Sequence, residues 1–376
     1  MSNRLPILVG SFIIIMNLSA HLAKAQPNVT YGLDIHGGQV LRHSEKLLYA
    51  VPAFTWATEW SAFYQSDGSR AWHHCQSYPK IGASFWQVNL GDEDILGNAL
   101  VFMPKIEIGL LGKDKPLSLK FQLGTGIAYL SKAYDLIDNV SNNAIGSHWN
   151  NATSLQLKSK YKIRPSWQLS LGAGLLHLSN GASRLPNLGI NFLSGHLGLH
   201  YRPNGKLKIS KGKCTSKTKH WSIQLHAGMA FSEIMAIGGP RFPTTITSLG
   251  GAYYINDYHR ILLGIEHEFN QGVYDFGRST YYFRNRSQAI LGAQRWMIFL
   301  ADELCFGAFS ILLQVGVYWK GKSAFLSFPV YNRLGLRYYL PPIGKPKTQF
   351  FLGIYLKSHR FSAEHIALGL GASISK

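Results

Sequence analysis

A two-residue rhythm, with no apolar run after the N-terminal segment long enough for a membrane helix, limits this chain more than any other feature. Across residues 117–129 the odd positions are Leu117, Leu119, Phe121, Leu123, Thr125, Ile127 and Tyr129, and the even ones are Ser118, Lys120, Gln122, Gly124, Gly126 and Ala128. A strand sends successive side chains to opposite faces, so one face here suits lipid and the other a lumen of small or wetted groups. In residues 155–163 the inward face carries Gln156, Lys158, Lys160 and Lys162; in 167–175 it carries Gln168, Ser170, Gly172 and Gly174. The rhythm returns in 221–231 and 365–372.

An open sheet cannot cross a bilayer, because its edges leave backbone groups unpaired in hydrocarbon. The pattern therefore predicts an all-β fold, an antiparallel transmembrane β-barrel with long extracellular loops. Counting alternating segments suggests about 14 strands, in a range of about 12–16, because single-chain bacterial barrels close on an even number. No linker or composition shift divides the chain, so residues 26–376 are expected to form one barrel. Polar segments near 66–79, 131–148, 179–190, 203–218 and 271–285 are expected to be loops, the basic run from Lys206 to Lys219 being a solvated one.

The N-terminus reads as an export signal, with Arg4, an apolar stretch from Leu5 to Met16, and Ala23-Lys24-Ala25 before Gln26. Residues 1–25 are thus expected to be a signal peptide cleaved after Ala25. Cleavage removes Arg4 and Lys24 and no acid, lowering the formal charge from +19 to +17. An exported basic chain points away from nucleic acid and towards an anionic membrane surface. Export and a barrel together predict the outer membrane of a Gram-negative bacterium. Cys75, Cys214 and Cys305 are too few and too scattered for a disulfide framework or a zinc site, although one bridge is possible. His73-His74-Cys75 lacks a second ligand pair, so neither a metal nor another cofactor is expected.

Following the outward parity of the strand that starts at Trp167, the positions after Leu175 are His177 and Ser179. Residues i and i+2 lie about 6–7 Å apart on a strand, near enough for imidazole and hydroxyl to meet as a base-activated nucleophile. A tight turn, Arg164-Pro165-Ser166, lies about ten residues before His177, which puts the pair at the opposite, extracellular rim. The plainer alternative is two interfacial residues at a strand end.

The fifteen residues from His177 to Asn191, His-Leu-Ser-Asn-Gly-Ala-Ser-Arg-Leu-Pro-Asn-Leu-Gly-Ile-Asn, resemble the signature of outer-membrane lipid A deacylases of the PagL type, acyloxyacyl hydrolase-like enzymes. Those carry His-x-Ser-Asn and then Asn-x-Gly-Ile at this spacing. Ile145-Gly146-Ser147, the lysine-rich strand and Trp167 extend the likeness over residues 117–202. The family barrel is a compact eight-stranded one, so this chain has much additional sequence.

The resemblance implies an esterase in which Ser179 is the nucleophile and His177 the general base. It further implies that the Asn187 amide and a backbone N–H of Gly181 or Ala182 hold the oxyanion, while Asn180 supports the loop. Where the family has a glutamate orienting the histidine, twelve residues after the serine, this chain has Asn191. Asn191 keeps the outward parity of Leu193, Leu197 and Leu199, and an amide oxygen can still accept the imidazole N–H. The implied substrate is an outer-leaflet lipid, lipid A or lipopolysaccharide.

The alternative function is a non-catalytic barrel, a channel or structural protein that kept the family scaffold. Inward Lys158, Lys160 and Lys162 would then attract anions. Among other acids, Glu266 and Glu268 have lumen-facing parity, while Asp135, Asp138 and Asp275 fall in loops. Asn142, Asn143, Ser147 and His148 form a polar cluster expected to brace a loop. Trp149, Trp167 and Trp221 are expected in aromatic girdles.

Overall fold

The computed structural model describes residues 28–375 apart from 113–114, 204, 206–208, 211, 215–218, 235–236, 257, 321–327, 346 and 361. The expected signal segment, residues 1–25, lies outside the described residues. The first strands are β1 (Val29–Val40), β2 (Thr55–Gln65), β3 (Lys80–Asn89), β4 (Asn98–Leu111), β5 (Leu117–Leu130), β6 (Trp149–Arg164), β7 (Trp167–Ser179) and β8 (Ile190–Tyr201). Each pairs antiparallel with the next, and β1 returns to β8 with Leu33 opposite Leu199. The ring closes there.

A second ring follows: β9 (His220–Glu233), β10 (Arg241–Asn256), β11 (His259–Asn270), β12 (Gln294–Phe306), β13 (Phe309–Lys320), β14 (Val330–Tyr339), β15 (Lys347–His359) and β16 (Ser362–Ser375). It closes through β16 on β9, with Leu370 opposite Ala227. Between β2 and β3 lies α1 (Ala71–Cys75), and between β11 and β12 lie α2 (Gln271–Ser279) and α3 (Arg286–Ala293). The expected loop at 271–285 is thus largely helical, because the side chains of Asn270 and Asn285 cap the two helices by accepting from Val273 N–H and Gln288 N–H.

The expected single barrel of about 14 strands is corrected to two closed barrels of eight, sixteen strands among the described residues. Alternation reports which face of a strand is wet, whereas closure depends on which distant strand supplies the last set of hydrogen bonds. The segment near 203–218, expected to be a loop, links the two rings in the chain. It leaves β8 at the rim that also carries the Pro165 and Ser166 turn.

Ring size sets what the lumen can be. Eight strands leave an interior that side chains fill, and here they fill it with paired charge. In the first barrel Lys158 lies 2.8 Å from Asp34 and 3.4 Å from Glu59, while Lys80 and Lys160 meet Glu107. Above them Val40, Ile145, Leu176, Leu178, Ile190 and Phe192 make an apolar core. Lys162 is exposed at the strand end, so the expected anion-attracting row is two neutralised lysines and one surface lysine. In the second barrel Arg333 bridges Glu266 and Glu268, and Arg260 and Arg337 share Glu303. Burying one member without its partner would cost about 3–5 kcal/mol. These filled lumens predict no porin-like conductance after reconstitution into planar bilayers; stable current steps at neutral pH would contradict it.

The outer walls keep their lipid-facing character, with Ile35, Leu171, Leu197, Leu368 and Leu370 all exposed. Aromatic pairs mark both edges: Tyr129 and Trp149 at one rim, Trp167 with Tyr201 and Trp221 with Tyr253 at the other. The barrels meet at their rims. At the turn end, Cys75 of α1 forms a disulfide with Cys214, and Gln76 donates to the carbonyls of Tyr258 and Cys305. Cys305 is buried and free. Both rings close without the bridge, so Cys75→Ser should leave both folded by heat-modifiability gels while raising tryptic cleavage between Arg202 and His220 several-fold, since the bridge limits that segment's freedom.

Candidate active site

β7 and β8 form a hairpin in which Leu175 faces Leu193 and His177 faces Asn191. His177 lies ten steps along β7 from Trp167. At about 3.3 Å per residue, that carries the histidine from one aromatic edge nearly to the other. Parity sets His177, Ser179 and Asn191 on the outer face together.

The contacts run in series. Ser179 Oγ lies 3.0 Å from His177 Nε2, and His177 Nδ1 lies 2.7 Å from Asn191 Oδ1. An amide oxygen only accepts, so Nδ1 carries the proton and Nε2 is left to accept from the serine hydroxyl. This is the tautomer a general base requires. His177 and Asn191 are half-buried, and Ser179 is buried at 3% exposure. Gly189 makes room for the imidazole: its φ is +82°, and a Cβ there would lie 2.9 Å from His177 Cε1. A side chain would push the ring off the serine.

Beyond Ser179 the chain turns sharply through Gly181 and Ala182, with φ of +62° and +59°. The left-handed form costs a residue such as Ala182 roughly 1–2 kcal/mol, so other contacts must hold the turn. Asn180 N–H donates to Asn187 Oδ1 at 2.9 Å, and Asn180 Nδ2 donates to Ser147 Oγ at 3.1 Å. With its oxygen occupied, Asn187 keeps the NH2 end of its amide for a different acceptor. Gly189 N–H donates to Ala144 O, and the imidazole of His43 lies 2.9 Å from Leu188 O. Three loops of the rim are thereby tied together.

Sequence reasoning missed the polar row that continues from His177. Thr153 faces His177 on β6, Thr125 faces Thr153 on β5, and Asn151 faces Ser179. Asn151 Nδ2 donates to Thr125 Oγ1 at 3.1 Å and to Gly126 O at 3.0 Å. The available signal was the run of outward positions on neighbouring strands that are polar at one level of an otherwise apolar wall.

The remaining candidates stand apart from this cluster. Glu266 and Glu268 are buried in the second lumen. Asp135 accepts from Ile137 and Asp138 N–H within its own loop, Asp138 is exposed, and Asp275 accepts from Gln271 on α2. The histidine's Nδ1 partner is therefore Asn191. Asn142 and Asn143 brace the rim by donating to the carbonyls of Ile95 and Lys46. His73 accepts from Gly68 N–H, and His74 meets Tyr78 Oη.

Residues 47–200 match the family model described as lipid A 3-O-deacylase (PagL), and residues 219–376 match that of the acyloxyacyl hydrolase C-terminal domain. No curated protein matches the chain. Among solved structures, neisserial surface protein A is 11% identical with a TM-score of 0.32, over 46% of this chain and 96% of that one. OccAB4 of Acinetobacter baumannii is 11% identical with a TM-score of 0.25, over 94% of this chain and 99% of that one. With one model on each barrel and most of its length matched, the chain belongs to the PagL lipid A 3-O-deacylase family and carries an acyloxyacyl hydrolase-type C-terminal domain.

Proposed function

We propose that this protein is an outer-membrane serine esterase that removes an ester-linked acyl chain from lipid A or a similar outer-leaflet lipid. The observation that carries the reading is the series Ser179–His177–Asn191 on the lipid-facing wall, at 3.0 and 2.7 Å. Depth supports it as well. Ser179 faces Asn151, two positions inward of Trp149 on β6, so the hydroxyl lies just inside the aromatic edge where acyl esters meet their head groups. Family membership points to the outer membrane and to lipid A as the substrate class.

In the proposed reaction Ser179 Oγ attacks the ester carbonyl as His177 Nε2 takes its proton. The Asn187 amide, with a backbone N–H of Gly181 or Ala182, receives the negative charge that develops on the carbonyl oxygen. One such donor is typically worth about 10²–10³ in rate. His177 then returns the proton to the departing sugar oxygen, and water, deprotonated by the same imidazole, releases the fatty acid from Ser179. Asn191 keeps the ring oriented throughout, without the charge that a carboxylate would offer the imidazolium. Below the site, Gln39, Ala173, Leu193 and Gly195 line a hollow of about 390 Å³ on the outer wall. A chain entering from the bilayer could lie there.

The test is the mass spectrum of lipid A from cells making the wild-type or the Ser179→Ala protein. Identical acyl profiles at equal abundance in the membrane would refute the esterase reading. The channel alternative has less support, since both lumens are filled among the described residues.

A further inference from the structure

The second barrel reaches the loop that follows Ser179. Glu233, the last residue of β9, is buried, and its carboxylate engages that loop twice: one oxygen pairs with Arg184 Nη1, and the other accepts from Leu185 N–H at 2.7 Å. Its backbone N–H donates to Ala182 O at 3.3 Å. Arg184 extends past it to Gly239 O at 3.3 Å. On β16, Ile366 closes the other side: a Cβ on Gly181 would lie 2.4 Å from Ile366 Cγ1, so only a glycine fits there.

These contacts are concentrated where they bear on the site. The apolar walls of the two barrels remain exposed at Leu171, Leu197, Leu368 and Leu370, so they do not press the loop into place by broad packing. A buried carboxylate must keep its partners or be stranded, and Glu233 finds three of its contacts within residues 182–185. Those residues lie between Asn180 and Asn187, which hydrogen-bond each other across the loop.

We propose that Glu233 of the second barrel is a positioning residue for the esterase site, latching the 180–187 loop so that the groups following Ser179 stay aligned with the reacting ester. The proposal rests on the esterase reading and assigns the C-terminal domain a part in it. Glu233 touches no substrate and acts through Ala182, Arg184 and Leu185.

The test compares the full-length wild-type protein in detergent micelles with Glu233→Ala, Glu233→Gln, Arg184→Met and Ser179→Ala. Two readouts are used: hydrolysis of a short-chain p-nitrophenyl ester, and amide hydrogen exchange of residues 180–187. A small misplacement of catalytic groups is expensive in rate, so kcat for Glu233→Ala should fall about 10- to 100-fold with KM nearly unchanged. Glu233→Gln, which can still accept from Leu185 N–H, should recover most of the loss. Arg184→Met should fall between, and exchange across 182–185 should quicken as kcat falls.

Heat-modifiability gels confirm that both barrels of each variant are folded. If Ser179→Ala is inactive while Glu233→Ala keeps wild-type kcat and exchange, the latch is overturned and the esterase stands. Equal turnover by wild type and Ser179→Ala refutes the esterase instead. The positioning role then falls with it, and exchange reports only the loop contact: quickened exchange in Glu233→Ala shows that Glu233 holds the loop, and unchanged exchange overturns that as well.

Discussion

Purified Ser179→Ala protein should lose ester cleavage by about 10³-fold or more, because removing the nucleophile leaves only the contribution of bound donors and orientation. In cells the same change should return lipid A to its full acyl complement, read as a mass shift of one fatty acid. The effect is expected to be large because the hydroxyl is set for one task. Its Oγ lies 3.0 Å from His177 Nε2 and its side chain is buried beside the histidine, so no second hydroxyl in the outward polar row is equivalently placed. Thr153, the nearest on the neighbouring strand, faces His177 but is bonded to Asn151 and Thr125. Residual turnover within threefold of wild type would show that Ser179 is not the attacking group.

Asn191 should respond in both directions. Asn191→Leu removes the acceptor that fixes the Nδ1–H tautomer at 2.7 Å. A misoriented or wrongly protonated imidazole is costly, so kcat should fall by about 10²–10³. Asn191→Asp keeps the shape of the side chain and supplies charge. Charge-assisted hydrogen bonds are roughly twice as strong as neutral ones, and kcat should rise about tenfold. Together the two variants separate orientation from charge. Loss in Leu with no gain in Asp would mean that the ring needs holding but no counter-charge; retention of activity in Leu would remove Asn191 from the mechanism.

The second substitution is informative because the resemblance that located the site also exposed this departure. In a family whose members carry a glutamate, an amide at the third position could have meant a distant carboxylate had taken over. The candidate acids lie elsewhere: Asp135 is bonded within its own loop, Asp138 is exposed, Asp275 is bonded along α2, and Glu266 and Glu268 meet Arg333 inside the second barrel. In the proposed mechanism the Asn191 amide takes the orienting role that the resemblance assigns to a glutamate.

Much of the site was legible in the sequence because strand geometry is strictly local. Period two sends His177 and Ser179 to one face without reference to the rest of the chain, and a short hairpin brings Asn191 opposite the histidine. The loop roles of Asn180, Gly181, Ala182 and Asn187 came with the family resemblance, and the structure adds how the loop is folded: two left-handed residues and an Asn180–Asn187 hydrogen bond. The outward row of Thr125, Asn151 and Thr153 was less visible, since each residue alone is an ordinary polar side chain on its strand. Only when three strands stand side by side do they become a level.

Sequence by itself determined that this chain is built of membrane-type strands, which face of each meets lipid, and where a histidine and a serine share that face. Tertiary structure decided how many rings those strands make. Alternation within β8 is the same whether its open edge finds β1 or β9, and the choice of β1 is made by hydrogen bonds between residues far apart in the chain. That choice also settled the lumens, since a ring of eight brings Asp34 and Glu59 within reach of Lys158 where a wider ring would hold them apart. The placing of Glu233 beside the loop after Ser179 follows from it too. Two closed barrels meeting at their rims create a contact that no strand pattern encodes.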